Sequence, residues 1–296
     1  MKHWLEAFRL RTLPLALSSI GMGTFLAAAQ GKFNLWIFIL CSFTTIFLQI
    51  LSNLANDYGD SQHGADSDSR KGPKRAVQSG KISSTAMKKM IYLFIALSFF
   101  SGVALLVISV GMNIKLLLFF LGLGIMSILA AMAYTMGKRP YGYAGLGDLF
   151  VLLFFGVVGV VGSNYLYAGY FNPNFLLPAI SCGLFSVAVL NINNIRDIES
   201  DKEAGKMSIP VRLGRDKAVI YHGMILFTGI LASVLFVIVN YYTLWQLLFL
   251  VTLPLFVMNF VAVKKNKKPD QLDPKLKQMA LTTLLFVITF GIGQLL

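Results

Sequence analysis

Apolar residues fall in nine long runs along this chain, near 12–29, 35–55, 90–110, 115–135, 148–169, 175–195, 219–239, 244–263 and 279–296. Each is close to the ~20 residues that a helix needs to cross ~30 Å of hydrocarbon, and no convincing strand pattern interrupts them. The predicted fold class is all-α: a polytopic membrane protein of nine transmembrane helices, organised as one domain over residues 1–296. Polar stretches between the runs are of two kinds. Those near Gly31, Asn113, Asn172 and Tyr241 are short enough for plain helix hairpins. Those at 56–89 and 196–218 are long and hold most of the charge, so function is expected there.

Composition reinforces this picture, with 56% hydrophobic and 13% charged residues. The first run follows a short basic segment and is as long as several others, so it is read as a retained helix and not as a cleaved leader. Cys41 and Cys182 lie inside apolar runs and are read as small hydrophobes, with neither a disulfide nor a zinc motif. The net charge of +13 arises from 26 Lys and Arg, of which 24 fall on alternate, odd-numbered segments. That asymmetry is an orientation signal rather than a nucleic-acid signal. It predicts a cytoplasmic N-terminus, an external C-terminus and both long loops inside, with basic residues drawn to anionic lipid heads.

Two stretches in those loops resemble one another. NLANDYGDSQHGAD, from Asn53 to Asp66, places Asn53, Asp57 and Asp60 at i, i+4 and i+7; NINNIRDIESDKEAGK, from Asn191 to Lys206, places Asn193, Asp197 and Asp201 at i, i+4 and i+8. On a helix each set lies along one face, at the end of an apolar run. Basic residues follow both: Arg70, Lys71, Lys74 and Arg75 after the first, Lys202, Lys206, Arg212 and Arg215 after the second. Clustered carboxylates call for a cation, and clustered Lys and Arg beside them call for an anion. Magnesium with a diphosphate satisfies both, since Mg2+ is held by one or two carboxylates together with substrate phosphate oxygens. There is no EF-hand spacing, Walker loop or dinucleotide fingerprint, and His63, the one histidine near the motifs, is read as a surface loop residue. Gly156, Gly159 and Gly162 are read as a helix-packing stripe. Gln49 and Asn164, the best internal polar candidates for a transport path, are read as packing hydrogen bonds.

NDYGDSQHGAD and NNIRDIESDKEAGK, together with RLRTLPLALSS, GPKRAVQSGKI and GLGDLFVLLFFGVVGVVGSNY, resemble the UbiA superfamily of intramembrane prenyltransferases along most of the chain. The resemblance implies a nine-helix UbiA-type bundle in a bacterial inner membrane. It implies an Mg2+-dependent transferase that moves a polyprenyl group from its diphosphate to an aromatic acid. The resemblance is nearest to the branch that prenylates 1,4-dihydroxy-2-naphthoate with loss of CO2 in menaquinone synthesis. Prenylation of another acceptor such as 4-hydroxybenzoate stays open, as does the different class of secondary membrane transporter. The chain departs from the pattern in the spacing of Asp66 from Asp60, in Asp148 where relatives more often carry Glu, and in Arg9-Leu10 where an Arg-Pro pair is associated with the family.

On this resemblance Asp57, Asp60, Asp197 and Asp201 are the catalytic metal ligands, directly or through water. Asn53, Asn56, Asn193 and Asn194 support them as oxygen donors. Arg11, Lys74, Arg75, Arg139 and Lys206 are the diphosphate-binding candidates. Metal and basic residues together draw charge from the leaving diphosphate, so that the allylic C–O bond breaks toward a carbocation which the aromatic acceptor attacks.

Overall fold

In the computed structural model, which describes residues 2–63 and 75–296, every regular element is helical. Among the described residues nine helices are long and apolar enough to span a membrane: α1 (Lys2–Ala29), α2 (Leu35–Gln62), α3 (Ser84–Val110), α4 (Ile114–Ala133), α5 (Gly147–Ala168), α6 (Pro173–Arg196), α7 (Arg215–Val239), α8 (Leu244–Lys265) and α9 (Pro269–Leu295). Their outward faces carry large apolar side chains, among them Trp36, Phe100, Phe119, Phe227 and Leu244, as lipid contact requires.

The short connections at one end of the bundle follow from local chemistry. Gly31, Gly111 and Gly169 take positive φ just past α1, α3 and α5, a left-handed conformation that closes a helix at little cost only for glycine. Asn34, Asn113 and Asn172 then accept hydrogen bonds from the first backbone N–H groups of the next helix, and Thr243 caps α8 in the same way.

Several helices are longer than their apolar runs, α1, α2 and α9 the most. Helix α2 continues to Gln62 instead of stopping near residue 55, because the motif that follows is buried against protein and so needs no lipid-compatible composition. Helix α9 begins at Pro269 rather than near 279. Helix α1 begins at Lys2 and bends at Arg9, whose φ of 49° is the one positive value on a non-glycine residue among those described.

Two of the three stripe glycines make close contacts. A Cβ at Gly156 would lie 2.7 Å from the Ala179 carbonyl oxygen of α6, and one at Gly159 would lie 2.8 Å from Ser19 Cβ of α1, whereas Gly162 has only Val158 within reach. Gly156 and Gly159 lie on a π-helical stretch of α5, from Leu152 to Gly162, and let α5 approach both neighbours. Asn164 donates to the Gly23 carbonyl and Gln49 to Asn53, so both internal polar residues are spent on packing contacts.

Candidate active site

The first motif stays on an unbroken helix. Asn53 donates to the Phe8 carbonyl at 2.9 Å and to Thr12 Oγ1 at 3.0 Å, which ties α2 to the bend in α1. Asn56 Oδ1 accepts from Thr135 Oγ1 at 3.1 Å. Both oxygens of Asp57 accept backbone N–H bonds, from Ala76 at 3.0 Å and Val77 at 3.1 Å, so this carboxylate folds the returning chain onto the helix. Asp60 pairs with Arg75 at 2.6 Å and accepts from the Tyr143 hydroxyl at 2.9 Å. That hydrogen bond is possible because α2 and the end of α4 nearly touch: a Cβ on Gly59 would meet the Thr135 carbonyl oxygen at 2.6 Å.

The second motif is broken. Helix α6 stops at Arg196, and after Asp197 (φ −100°) a short separate helix, Ile198–Glu203, follows. The N–H of Asp201 still reaches the Asp197 carbonyl at 2.8 Å across the break. Arg196 ties this junction together. Its Nε and Nη2 hold the two oxygens of Asp197 at 2.8 and 2.7 Å, Nη2 also reaches Asn193 Oδ1 at 2.8 Å, and Nη1 reaches Asp273 of α9 at 2.8 Å. The other oxygen of Asp273 accepts from Arg11 at 2.8 Å. Asp201 pairs with the buried Lys206 at 3.2 Å.

The loop between α4 and α5 joins the halves. Tyr143 gives its hydroxyl to Asp60, and its carbonyl accepts the Met207 N–H at 2.9 Å, while Arg212 donates to the Ala144 carbonyl at 2.8 Å. Gly145 permits this contact. Its φ is +78° and a Cβ there would sit 2.5 Å from the Met207 carbonyl oxygen. Burial is the main reason the Asp201 carboxyl is raised to about 6, with Asp197 and Asp60 adding to it against the lowering effect of Lys206. The Tyr143 hydroxyl is likewise held well above its ordinary value by burial and the neighbouring Asp60 charge. The two acidic motifs, far apart in the chain, therefore share one electrostatic field.

Beneath them lies a cavity of ≈ 420 Å3. Arg11, Asn53, Asn56, Asp60, Arg75, Asn193 and Lys206 line its polar part, and its body is apolar, walled by side chains such as Leu48, Phe99, Phe120, Phe150 and Phe154. Seven of the anticipated site residues thus meet at one surface. Asp57, Asn194, Asp197 and Asp201 are buried beside it without lining it. Arg139 does not join them: it stands exposed on the loop beyond Gly137, whose φ is +96°. Lys74 and Asp66 lie outside the described residues. His63 is not a free surface residue, since its ring packs 5.1 Å from that of Tyr143 and its Nε2 lies 3.0 Å from the Gly137 carbonyl.

Sequence reasoning missed Tyr143, Arg196 and Asp273. Arg196 sits inside the second motif and was within reach, because a guanidinium between Asn193 and Asp197 lies on their face of the helix. Tyr143 and Asp273 carry no spacing signal toward the motifs.

The donor set suits a hard cation. Asn194 Oδ1 is a buried oxygen without a hydrogen-bond partner, Asp201 Oδ2 has the Lys206 ammonium at 3.2 Å beside it, and the other candidates are carboxylate and amide oxygens. Among the described residues no three His, Cys, Asp or Glu side chains converge on one point, so a metal here would draw further ligands from amides, water or a bound phosphate.

Known proteins share both the sequence and the fold. The chain is 44% identical over 299 residues, 100% of its length and 96% of the relative's, to the 1,4-dihydroxy-2-naphthoate octaprenyltransferase of Haemophilus influenzae. It is 44% identical over 295 residues, 98% of its length and 96% of the relative's, to the protein of the same name from Escherichia coli. Among solved structures, a UbiA homolog from Aeropyrum pernix superposes with a TM-score of 0.68 at 18% identity, over 97% of both chains. One from Archaeoglobus fulgidus, bound to GPP and Mg2+, superposes with a TM-score of 0.58 at 20% identity over 99% of both. Residues 16–287, from the first helix to the last and including both acidic motifs, match the UbiA prenyltransferase family, and to that family this chain belongs.

Proposed function

We propose that the protein transfers a polyprenyl group from its diphosphate to 1,4-dihydroxy-2-naphthoate, with release of CO2, in a bacterial inner membrane. The observation that carries this reading is the full-length 44% identity to two proteins named for that acceptor. A cavity that is charged at the motifs and apolar below them supports it, because a polyprenyl diphosphate is charged at one end and apolar along the rest.

Mg2+ would be held by Asp57, Asp60, Asp197 and Asp201, directly or through water, with Asn53, Asn56, Asn193 and Asn194 as further oxygen donors. When bound it would neutralise charge on the departing diphosphate. Arg75 and Lys206 now balance Asp60 and Asp201 and line the cavity, so they are placed to turn toward an entering diphosphate. As the allylic C–O bond breaks, the electron pair leaves with the diphosphate, and the apolar wall keeps water from the cationic carbon. The acceptor's carboxyl-bearing ring carbon forms the new C–C bond. Loss of CO2 returns the electron pair of the broken C–C bond to the ring and restores its aromaticity.

Membranes holding the protein, given a polyprenyl diphosphate, Mg2+ and carboxyl-labelled 1,4-dihydroxy-2-naphthoate, should release one labelled CO2 per prenylated lipid. Label retained in the lipid, or consumption of 4-hydroxybenzoate with none of the naphthoate, overturns the reading. The motif end is proposed to face the cytoplasm, so reporter fusions after Arg75 and Lys206 should read inside and fusions after Lys32 and Asn172 outside. Motifs found on opposite faces would refute a single site.

A further inference from the structure

We infer that the acceptor's carboxylate is seated by Arg11 and Lys277, on the edge of the cavity formed by the first and last helices, apart from the diphosphate-binding side. The inference rests on the acceptor reading above and adds the residues that recognise it.

Both side chains line the cavity. Arg11 lies in the 3-10 turn after the bend of α1 and is fixed there by Asp273 at 2.8 Å. Lys277 lies four residues after Asp273 on the continuous helix Asp273–Leu295, one turn along the same face. Among the described residues its ammonium makes no ion pair or hydrogen bond, although it borders a site full of paired charges. The local charge balance favours an anion. Arg11, Arg196 and Lys277 bring three positive charges, and Asp197 and Asp273 bring two negative ones, because the single carboxylate of Asp273 serves two guanidinium groups at once.

Of the three other cationic side chains on the cavity, Arg9, Arg75 and Lys206, the last two are committed to the motifs. Arg75 and Lys206 pair with the motif carboxylates Asp60 and Asp201, so a diphosphate drawn to the motifs meets them first. A planar aromatic acid needs a separate cationic contact on the far side of the reacting carbon, and Arg11 with Lys277 supplies one. Their exposure suits the chemistry. A carboxylate that must depart as CO2 returns its electron pair to the ring, and a deeply buried cation clamped on it would oppose that loss. Arg11, with 39% of its side chain exposed, and the exposed Lys277 hold the group more loosely.

The test matches the charge removed from the protein with the charge removed from the ligand. Equilibrium binding of 1,4-dihydroxy-2-naphthoate and of neutral 1,4-dihydroxynaphthalene, both without prenyl donor, is compared in the purified full-length protein and in Lys277→Gln. Loss of one charged contact should weaken the acid about tenfold and leave the neutral diol unchanged. Lys277→Arg should restore most of the loss, and Arg11→Gln should show the same selectivity. Equal weakening of acid and diol, no weakening of the acid, or a rise in KM for the prenyl diphosphate alone would each overturn the assignment. Failure of the wild-type protein to prenylate the naphthoate at all would instead refute the acceptor reading, so the two failures are distinguishable.

Discussion

The two acidic motifs look like copies in sequence, yet they are built on opposite plans. Asp57 and Asp60 ride an unbroken helix, and Asp57 spends both oxygens on the backbone of the chain that returns over it. Asp197 and Asp201 flank a break, and Asp197 spends both oxygens on the side chain of its own neighbour Arg196. Around Asp57 the first half is therefore stiffened by backbone hydrogen bonds, with the Asp60–Arg75 ion pair one turn further on, whereas around Asp197 the second is held by ion pairs reaching to α1 and α9. An ion pair can exchange partners when a metal or a diphosphate arrives. A backbone anchor does so only by unfolding the turn that it holds. The comparison assigns rigidity to the first motif and adaptability to the second.

The largest effect should come from the carboxylates that face each other across the halves. Asp60→Asn and Asp201→Asn should each remove nearly all turnover, and the double variant should lose little more than either single one, since groups acting as a unit are grossly non-additive. Losses that simply multiply would break the idea of one shared site. Next in size is a stability contrast. Asp197→Asn leaves the buried Arg196, 1% exposed, without its main counter-charge, a loss of about 3 to 5 kcal/mol. Asp57→Asn keeps one oxygen for the two amides and should cost less, about 1 to 3 kcal/mol. Thermal unfolding in one detergent checks the order, and a reversal would mean that the backbone anchor is the stronger of the two.

A smaller, graded effect is expected from pH. The Asp201 carboxyl is raised from 3.8 to about 6, so the folded protein binds this proton more tightly than the unfolded chain does. Its contribution is therefore most favourable below the unfolded value and is lost as pH rises through about 6. A cation at Asp201 needs the charged form, so activity should fall as pH drops below about 6, and a higher Mg2+ concentration should move the midpoint downward. A midpoint indifferent to Mg2+ would remove Asp201 from the ligand set. Smallest of all, Arg139→Gln should leave turnover within about twofold of wild type, because surface changes away from such features have little effect. A large loss would return Arg139 to the site.

The helices were legible because hydrocarbon imposes a length and an apolar composition on whatever crosses it, and nine runs met both. Boundaries failed where that rule stops applying: α2 goes on to Gln62 because protein covers its last turns, and α9 starts at Pro269 with polar, largely exposed first turns that lie outside an apolar run. The aspartates and asparagines were legible from helical spacing. Tyr143 and Asp273 were not, since their bonds to Asp60 and Arg196 span 83 and 77 residues and depend on how loops fold back. Arg139 was overvalued for a related reason, because a charge in a loop has no periodicity to say where it points.

Helices α7 and α8 contribute no side chain to the cavity. They lean on α6 and α9 instead, through Phe256 against Phe185 of α6 at 4.4 Å and Phe286 of α9 at 6.1 Å, and through Gly229, where a Cβ would meet the Phe185 ring at 2.5 Å. The bundle is thus divided between working parts and scaffolding. Changes confined to α7 and α8 should alter how long the protein survives and not which molecules it accepts, whereas changes to the apolar cavity wall on α2 to α5 should alter which molecules it accepts. An engineer seeking a different isoprenoid length has one side of the molecule to redesign and can leave the other as a fixed mount.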